Sequence, residues 1–224
     1  MHVLMGTDDP EVPVWASYTD IAMNVLVVLV FYLMAQTVYA NLTSAELLRV
    51  RLLQVQMRDK VMASMPAAMR KDVSIVEDGQ LMRFRFADRV LFDSGEARLK
   101  DRGKEILSCM AQALSDDRLK ATYSQIQVEG HTDDIPIHTG AFDSNWELSS
   151  ERATSVVRFL QQKNLDPEIL SATGYSEYRP LETDKTDQGR QRNRRIEVVV
   201  VYTLAGKETP HASLTGKTGS GNGR

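Results

Sequence analysis

A single aspartate lies inside a long apolar segment near the start of the sequence. The stretch WASYTDIAMNVLVVLVFYLMAQ runs from Trp15 to Gln36, and Asp20 is its only charged residue. A charge near the middle of a bilayer costs about 2.5–3.5 kcal/mol on insertion scales, and such residues usually serve a function. Ser17, Asp20 and Asn24 share one face of a helix. This polar stripe predicts contact with protein or water. Pairing with a partner subunit as structural glue and snorkelling toward the near interface remain alternatives.

The residues around this segment predict a retained membrane anchor. The apolar run is about 20 residues long, which is enough to span a bilayer. A signal peptide would begin with basic residues, whereas the residues before Trp15 include Asp8, Asp9 and Glu11 and no Lys or Arg. The net charge of −3 argues against a nucleic-acid binder, which usually carries a basic excess.

Few side chains in the rest of the sequence indicate catalysis or metal binding. Cys109 is the single cysteine and lies in an apolar, helix-like run, as a buried structural cysteine would. His131 lies close to Asp133, but the sequence has no second histidine or cysteine at a suitable spacing, so a turn-stabilising role is preferred over a metal ligand. The stretch GYSEY lacks the second glycine of a nucleophile elbow. We therefore expect no enzyme, no metal site and no cofactor.

Strand-like and helix-like segments alternate in the second half of the chain. VSIVEDGQLMRFRF, SQIQVEG, ILSATGYSE and RRIEVVVVY read as strands, and two longer amphipathic stretches between them read as helices. This pattern predicts an α/β (α+β) domain of two layers, one sheet and one layer of helices. The predicted organisation is an acidic leader (1–14), a transmembrane helix (15–40), a linker helix (41–71), the two-layer domain (72–204) and a disordered tail (205–224).

The linker helix has an amphipathic pattern that permits two interpretations. Thr43 and Glu46 fit a capping box, so a helix is predicted to restart there. One interpretation is a two-stranded coiled coil between two copies of the chain. The other is a single amphipathic helix that lies on another surface. Pro66 is expected to end or kink the helix. The stripe, which Gln54 interrupts, consists of Leu47, Val50, Met57, Val61, Ser64 and Ala68.

Four motifs follow one another in the two-layer domain: VEGHTDDIPI, NWELSSERA, ATGYSEYRPL and GRQRNRRIEVVV. Together they closely resemble the OmpA-like peptidoglycan-binding domain. The resemblance begins at VLFDSGEARL and covers about 115 residues. It implies that the domain binds the diaminopimelate of a peptidoglycan stem peptide, which carries both an ammonium and a carboxylate.

The resemblance also assigns roles to individual residues. Asp133 takes the amine of the ligand, Arg152 takes its carboxylate, and Arg194 lines and braces the site. A carboxylate and an arginine held a few Å apart suit such a ligand, because the arginine fork can grip a carboxylate with two hydrogen bonds. The alternative is that Asp133 and Arg152 form an ordinary surface ion pair. The supporting positions of the site are Thr132, Asn145 and Leu148.

The N-terminal stretch PVWASYTDIAMNVLVVLVFYLMA resembles the B subunit of rotary stators. The resemblance implies that Asp20 binds and releases a permeating ion, either H⁺ or Na⁺. It implies two copies of this chain inside a ring of multi-span A subunits, five in number. It also implies a bacterial inner-membrane location, with the N-terminus in the cytoplasm and the C-terminal domain in the periplasm, bound to peptidoglycan.

Some features depart from the flagellar form of that family. Thr19 replaces the usual small residue before the aspartate, the leader is acidic, and the linker is short. Basic residues such as Arg49 and Arg51 follow the span, against the positive-inside tendency, although long domains translocate regardless of charge. The short form resembles ZorB of the Zorya antiphage system. A flagellar stator subunit and a passive cell-wall tether are the alternatives.

Overall fold

The structure, a computed structural model, describes the backbone of residues 14–203 and the side chains of residues 18–203. The predicted leader up to residue 13 and the predicted tail at 205–224 lie outside the described residues. The chain divides into two compact units between Ala45 and Glu46. The second unit therefore begins well before residue 72, where the sequence predicted the start of the two-layer domain.

The first helix, α1, runs without a break from Val14 to Ser64. The predicted restart at Thr43 is wrong, because the Thr43 hydroxyl donates to the carbonyl oxygen of Tyr39, one turn earlier, as it does inside a continuous helix. An 18-residue window of α1 has a mean hydropathy of 2.1 and no residue buried within the chain. By length and composition this helix can cross a membrane.

The end of α1 packs into the second unit. Val50, Met57 and Val61 are at most 3% exposed and belong to the main hydrophobic core. Gln54 interrupts this stripe because its amide donates to the carbonyl oxygens of Gly79 and Leu81 at 3.0 and 3.3 Å. This packing corresponds to the second interpretation of the linker, an amphipathic helix on another surface. The same three apolar side chains are thus not available as a coiled-coil seam.

A five-stranded sheet forms the centre of the domain, in the order β1-β2-β5-β3-β4. The β3–β4 pair is parallel and the other pairs are antiparallel. The Asp-Gly turn within VSIVEDGQLMRFRF joins β1 to β2, and Gly79 adopts a positive φ of 56° there, which glycine tolerates best. The strands are β1 (Val73–Asp78), β2 (Leu81–Ala87), β3 (Tyr123–His131), β4 (Leu170–Gly174) and β5 (Arg195–Tyr202).

Helices pack against one face of this sheet and complete the predicted two-layer architecture. Ile106 and Met110 from one long helix, and Val156 and Leu160 from the other, are fully buried in the core. The stretch SGEARLKDRGKEILSCMAQALSDD has a helical pattern from Ser94, but the first of these helices begins at Asp101, because residues 94–100 form a loop instead. The helices after α1 are α2 (Ala67–Arg70), α3 (Asp88–Leu91), α4 (Asp101–Leu114), α5 (Asp117–Lys120), α6 (Asn145–Gln162) and α7 (Asp187–Asn193), with a 3-10 turn at Pro167–Ile169.

Candidate functional site

A cavity of about 580 Å³ lies where the end of β3, the start of α6 and the start of β5 come together. All six residues that the sequence assigned to the binding site line this cavity, although they are spread over more than 60 positions of the chain. They are Thr132, Asp133, Asn145, Leu148, Arg152 and Arg194. We call this cavity, defined by these six residues, the first pocket.

The close approach of β3 and β4 to α6 depends on two glycines. A Cβ atom added to Gly130 would lie 2.1 Å from the carbonyl oxygen of Ser149, and one added to Gly174 would lie 2.6 Å from the backbone nitrogen of Ser150. Both contacts are with backbone, which cannot move aside cheaply. The glycines of the VEGHTDD and ATGYSEY motifs therefore allow the strand ends to lie against α6, whose first turns carry Asn145, Leu148 and Arg152.

Asp133 follows β3 directly and is 6% exposed. Its Oδ2 forms an ion pair with Nη1 of Arg194, and its Oδ1 accepts the backbone N–H of Ile135 at 3.2 Å. Asn145 holds the same loop, because its side-chain amide donates to the carbonyl oxygens of Asp133 and Ile135 at 3.3 and 3.0 Å. The carboxylate is thus held in position at the pocket wall.

Arg152 is 2% exposed and is held by the loop that follows α3. Its Nε donates to the carbonyl oxygen of Glu96 at 2.8 Å and its Nη2 to that of Asp93 at 3.2 Å. Its guanidinium carbon lies 5.2 Å from the centre of the Phe92 ring, within the range of a cation–π contact. The guanidinium therefore has a fixed orientation in the first pocket before any ligand binds.

Asp133 and Arg152 were predicted to hold opposite ends of a ligand, with an ion pair between them only as the alternative. Both residues line the first pocket, but among the described residues they form no ion pair with each other, and each has another partner. Because both residues are buried and each has a different partner, the alternative of an ordinary surface ion pair is wrong. Arg194, which the sequence assigned a bracing role, is the cation that neutralises Asp133, and its side chain is 37% exposed.

Asp88 is a residue of the pocket that the sequence analysis missed. Its Oδ1 lies 2.9 Å from Nη1 of Arg152, an ion contact outside hydrogen-bond geometry. Burial raises the pKa of Asp88 to about 6, although the charges of Arg152 and Arg194 oppose this change. A signal for it was present, because Asp88 continues the inward alternation of Met82, Phe84 and Phe86 along and beyond β2.

Leu148 and His131 are buried in the domain, whereas Asp20 and Asn24 lie in the first unit. Leu148 is 4% exposed and supplies apolar surface to the first pocket. His131 is buried, stacks on Tyr175 at 5.3 Å, and its pKa is lowered by burial. Among the described residues there is no group of three or more metal-ligating side chains. Asp20 and Asn24 are exposed on α1, and the side chain of Ser17 lies outside the described residues.

The charges of the first pocket suit a ligand with a carboxylate and an ammonium. Arg89, Lys100, Arg152 and Arg194 supply four cations, and two carboxylates, Asp88 and Asp133, lie among them. The Asp133 carboxylate accepts a hydrogen bond from one charged donor, Arg194, and a ligand ammonium could take the place of that guanidinium. The freed Arg194 and the fixed Arg152 would then both be available to a ligand carboxylate.

Residues 91–194 match the model of the OmpA family. This range contains all six predicted site residues, and Asp88 lies just before it. The chain is 35% identical to Motility protein B of Bacillus subtilis over 131 residues, which are 58% of this chain and 48% of that protein. It is 34% identical to outer membrane protein A of Bordetella avium over 110 residues, 49% of this chain and 53% of that protein. The chain thus spans about half the length of these relatives.

Solved structures resemble the two-layer domain over most of its length. A putative MotB-like protein from Desulfovibrio vulgaris superimposes with a TM-score of 0.65 and 27% identity, over 72% of this chain and 99% of that one. The cell wall anchor of the T6SS from Pseudomonas aeruginosa gives a TM-score of 0.56 and 29% identity, over 67% and 97%. These likenesses confirm the predicted fold, a mixed sheet-and-helix domain preceded by a long apolar helix.

Proposed function

We propose that the chain is the peptidoglycan-anchored, ion-conducting B subunit of a rotary stator-type membrane motor, and not an enzyme. The observation that carries this proposal is the combination of two parts in one chain. One part is an apolar helix with a carboxylate, Asp20, in it. The other is an OmpA-like domain, similar to Motility protein B, whose pocket collects the six residues predicted for wall binding.

The first pocket is proposed to bind the diaminopimelate of a stem peptide. Its ammonium displaces Arg194 from Asp133, and its carboxylate binds the guanidinium of Arg152, with Arg194 closing over it. Support comes from the fixed orientation of Arg152, which two backbone carbonyl oxygens and Asp88 hold in place. A group held in position before binding loses little entropy when the ligand arrives.

Asp20 is proposed to bind and release the permeating ion, H⁺ or Na⁺. A charged residue in a membrane helix faces protein or water, so the polar stripe of Asp20 and Asn24 would face a multi-span A subunit. The proposed assembly has two copies of this chain within five A subunits in the bacterial inner membrane. The N-terminus would lie in the cytoplasm, and the OmpA-like domain would bind the wall in the periplasm.

The proposed role of the motor is Zorya-type antiphage defence, with flagellar motility as the alternative. The short distance between the apolar segment and the domain supports the first. Similarity to Motility protein B covers 48% of that relative and is consistent with both. A passive cell-wall tether is a second candidate, which the likeness to a T6SS cell wall anchor favours. Asp20 distinguishes the motor subunit from the tether, because a passive tether does not require a carboxylate in its membrane helix.

The proposal is tested with Asp20→Asn in the full chain, produced together with its multi-span partner. Asn has nearly the shape of Asp but cannot bind and release a proton. We expect normal assembly, normal co-sedimentation with purified peptidoglycan, and no ion flux into vesicles that contain the complex. Asp59→Asn, which removes an exposed carboxylate farther along α1, is the matched control. Undiminished flux through the Asp20→Asn complex would refute ion binding at Asp20, and the absence of flux through the wild-type complex would leave only the tether.

A further inference from the structure

A second cavity, of about 430 Å³, adjoins the first pocket. The two share Asp88, Arg89 and Arg194, which therefore form a common wall. Of the positions that the motifs assigned to wall binding, only Arg194 lines this second cavity, so the predicted binding role does not account for it. Other side chains that line it include Lys71, Asp72, Arg85, Glu182, Gln188, Gln191, Arg192 and Arg195. We call this cavity the second pocket.

Cations outnumber carboxylates in the second pocket. Six lysine and arginine side chains line it, against three carboxylates. Four of the arginines have acidic partners: Arg85 and Arg195 pair with Glu197, Arg192 with Glu182, and Arg194 with Asp133.

Lys71 and Arg89 differ from the other cations of the second pocket. Both are exposed, and neither side chain has an ion pair among the described residues. A pocket with two unneutralised cations attracts an anion. Gln188 and Gln191 add amide donors to the same wall.

We propose that the second pocket binds a second carboxylate of the same stem peptide whose diaminopimelate occupies the first pocket. The inference rests on the proposed wall binding. Residues of an extended chain are about 3.3–3.6 Å apart, so a peptide seated in one pocket reaches the other across the shared wall of Asp88, Arg89 and Arg194. Stem peptides carry a free α-carboxylate on the glutamate that precedes diaminopimelate, and amidation of this group removes its charge.

The specificity that follows is for the charge state of the wall peptide. A free carboxylate gains charge-assisted contacts with Lys71 and Arg89, which a neutral amide cannot make with equal strength. The first pocket would then identify diaminopimelate, and the second would distinguish unamidated from amidated peptides.

The test measures binding to the detergent-solubilised full chain by calorimetry. The probes are free diaminopimelate and the tripeptide alanyl-γ-glutamyl-diaminopimelate, with its glutamate α-carboxylate either free or amidated. Lys71→Gln removes one unpaired cation of the second pocket and touches none of the first. Lys120→Gln, at an exposed position that lines neither pocket, is the control for the loss of one positive charge.

We expect the wild-type chain to bind the free tripeptide more tightly than the amidated one. Lys71→Gln should weaken the free tripeptide about threefold, as for the loss of one exposed charge pair, and leave diaminopimelate and the amidated tripeptide unchanged. Lys120→Gln should change none of the three affinities.

Equal wild-type affinity for the two tripeptides would overturn the inference while leaving the first pocket intact. If Lys71→Gln weakened the binding of free diaminopimelate as much as that of the free tripeptide, the inference would also be overturned. The effect would then be that of a long-range charge and not of a second contact. Inorganic phosphate that binds in a Lys71-dependent way, without competing with the tripeptide, would assign the pocket to another anion. Failure of all three probes to bind would refute the proposed diaminopimelate binding itself, and the inference with it.

Discussion

Arg152→Ala is expected to destabilise the whole domain as well as the site. The side chain is 2% exposed and satisfies the carbonyl oxygens of Asp93 and Glu96. Its loss leaves Asp88 buried without its nearest counter-charge, and breaking a buried pair in this way costs about 3–5 kcal/mol. That is a large part of the 5–15 kcal/mol by which domains are typically stable. Loss of peptidoglycan binding by this variant alone would therefore not identify Arg152 as a ligand contact.

The assay is equilibrium unfolding of the solubilised full chain in urea, followed by pulse proteolysis of the domain. Arg158→Ala is the matched control, because Arg158 lies on the same helix, is 64% exposed, and pairs with Glu151. Its loss should cost less than about 1 kcal/mol. Asp88→Asn and the double variant complete a cycle that isolates the coupling between Asp88 and Arg152.

Two further results are expected of these variants. The double variant should be less destabilised than the sum of the single variants, because no buried charge is left alone. The cost of Arg152→Ala should also be smaller at pH 5 than at pH 7.5, since Asp88 can then take up a proton. If Arg152→Ala costs no more than Arg158→Ala, or if the coupling is close to zero, the buried ion contact does not stabilise the domain.

Three other predictions concern the site and the limits of the domain. Asp133→Ala should abolish co-sedimentation with peptidoglycan and leave the unfolding midpoint nearly unchanged, because its partner is partly exposed; Asp134→Ala, the exposed neighbour, should still co-sediment. A fragment of residues 46–203 should unfold cooperatively in urea, whereas 72–203 should not, because it lacks four core side chains that stabilise by roughly 1.5–3 kcal/mol each; equal midpoints would contradict the packing of α1. The pKa of Asp88 is raised in the folded state, so protonation of this carboxyl stabilises the fold. The free energy of unfolding should therefore gain up to about 3 kcal/mol from Asp88 as pH falls from 7 to 4. Asp88→Asn should remove this gain, and a pH profile that the substitution leaves unchanged would refute the prediction.

The sequence alone determined the strands, α6 and six of the positions that line the first pocket. Alternation in VSIVEDGQLMRFRF and RRIEVVVVY has the period of a strand, and the stripe of NWELSSERATSVVRFLQQKN has the period of a helix. These are local properties of the backbone, so the strands and α6 lie where they were predicted. The site positions were available because four motifs occur in order, and all six positions line one cavity.

Only the tertiary structure decided which charges pair. Asp133 and Arg152 belong to neighbouring motifs, but their partners, Arg194 and Asp88, lie 61 and 64 positions away in the sequence. Which cation reaches a carboxylate depends on how α3, the end of β3 and the start of β5 lie beside one another in the fold. The local periodicity of the sequence contains no information about this arrangement. The pKa of Asp88 depends on the same burial.

The partner of the linker stripe was likewise decided by packing. Val50, Met57 and Val61 have a spacing that a second helix or the chain's own sheet can bury equally well, because burial of apolar area has no directional preference. Gln54 distinguishes the two outcomes, since its amide meets the carbonyl oxygens of Gly79 and Leu81 at the β1–β2 turn. That contact exists only once the sheet has formed, and this is why the sequence left both interpretations open.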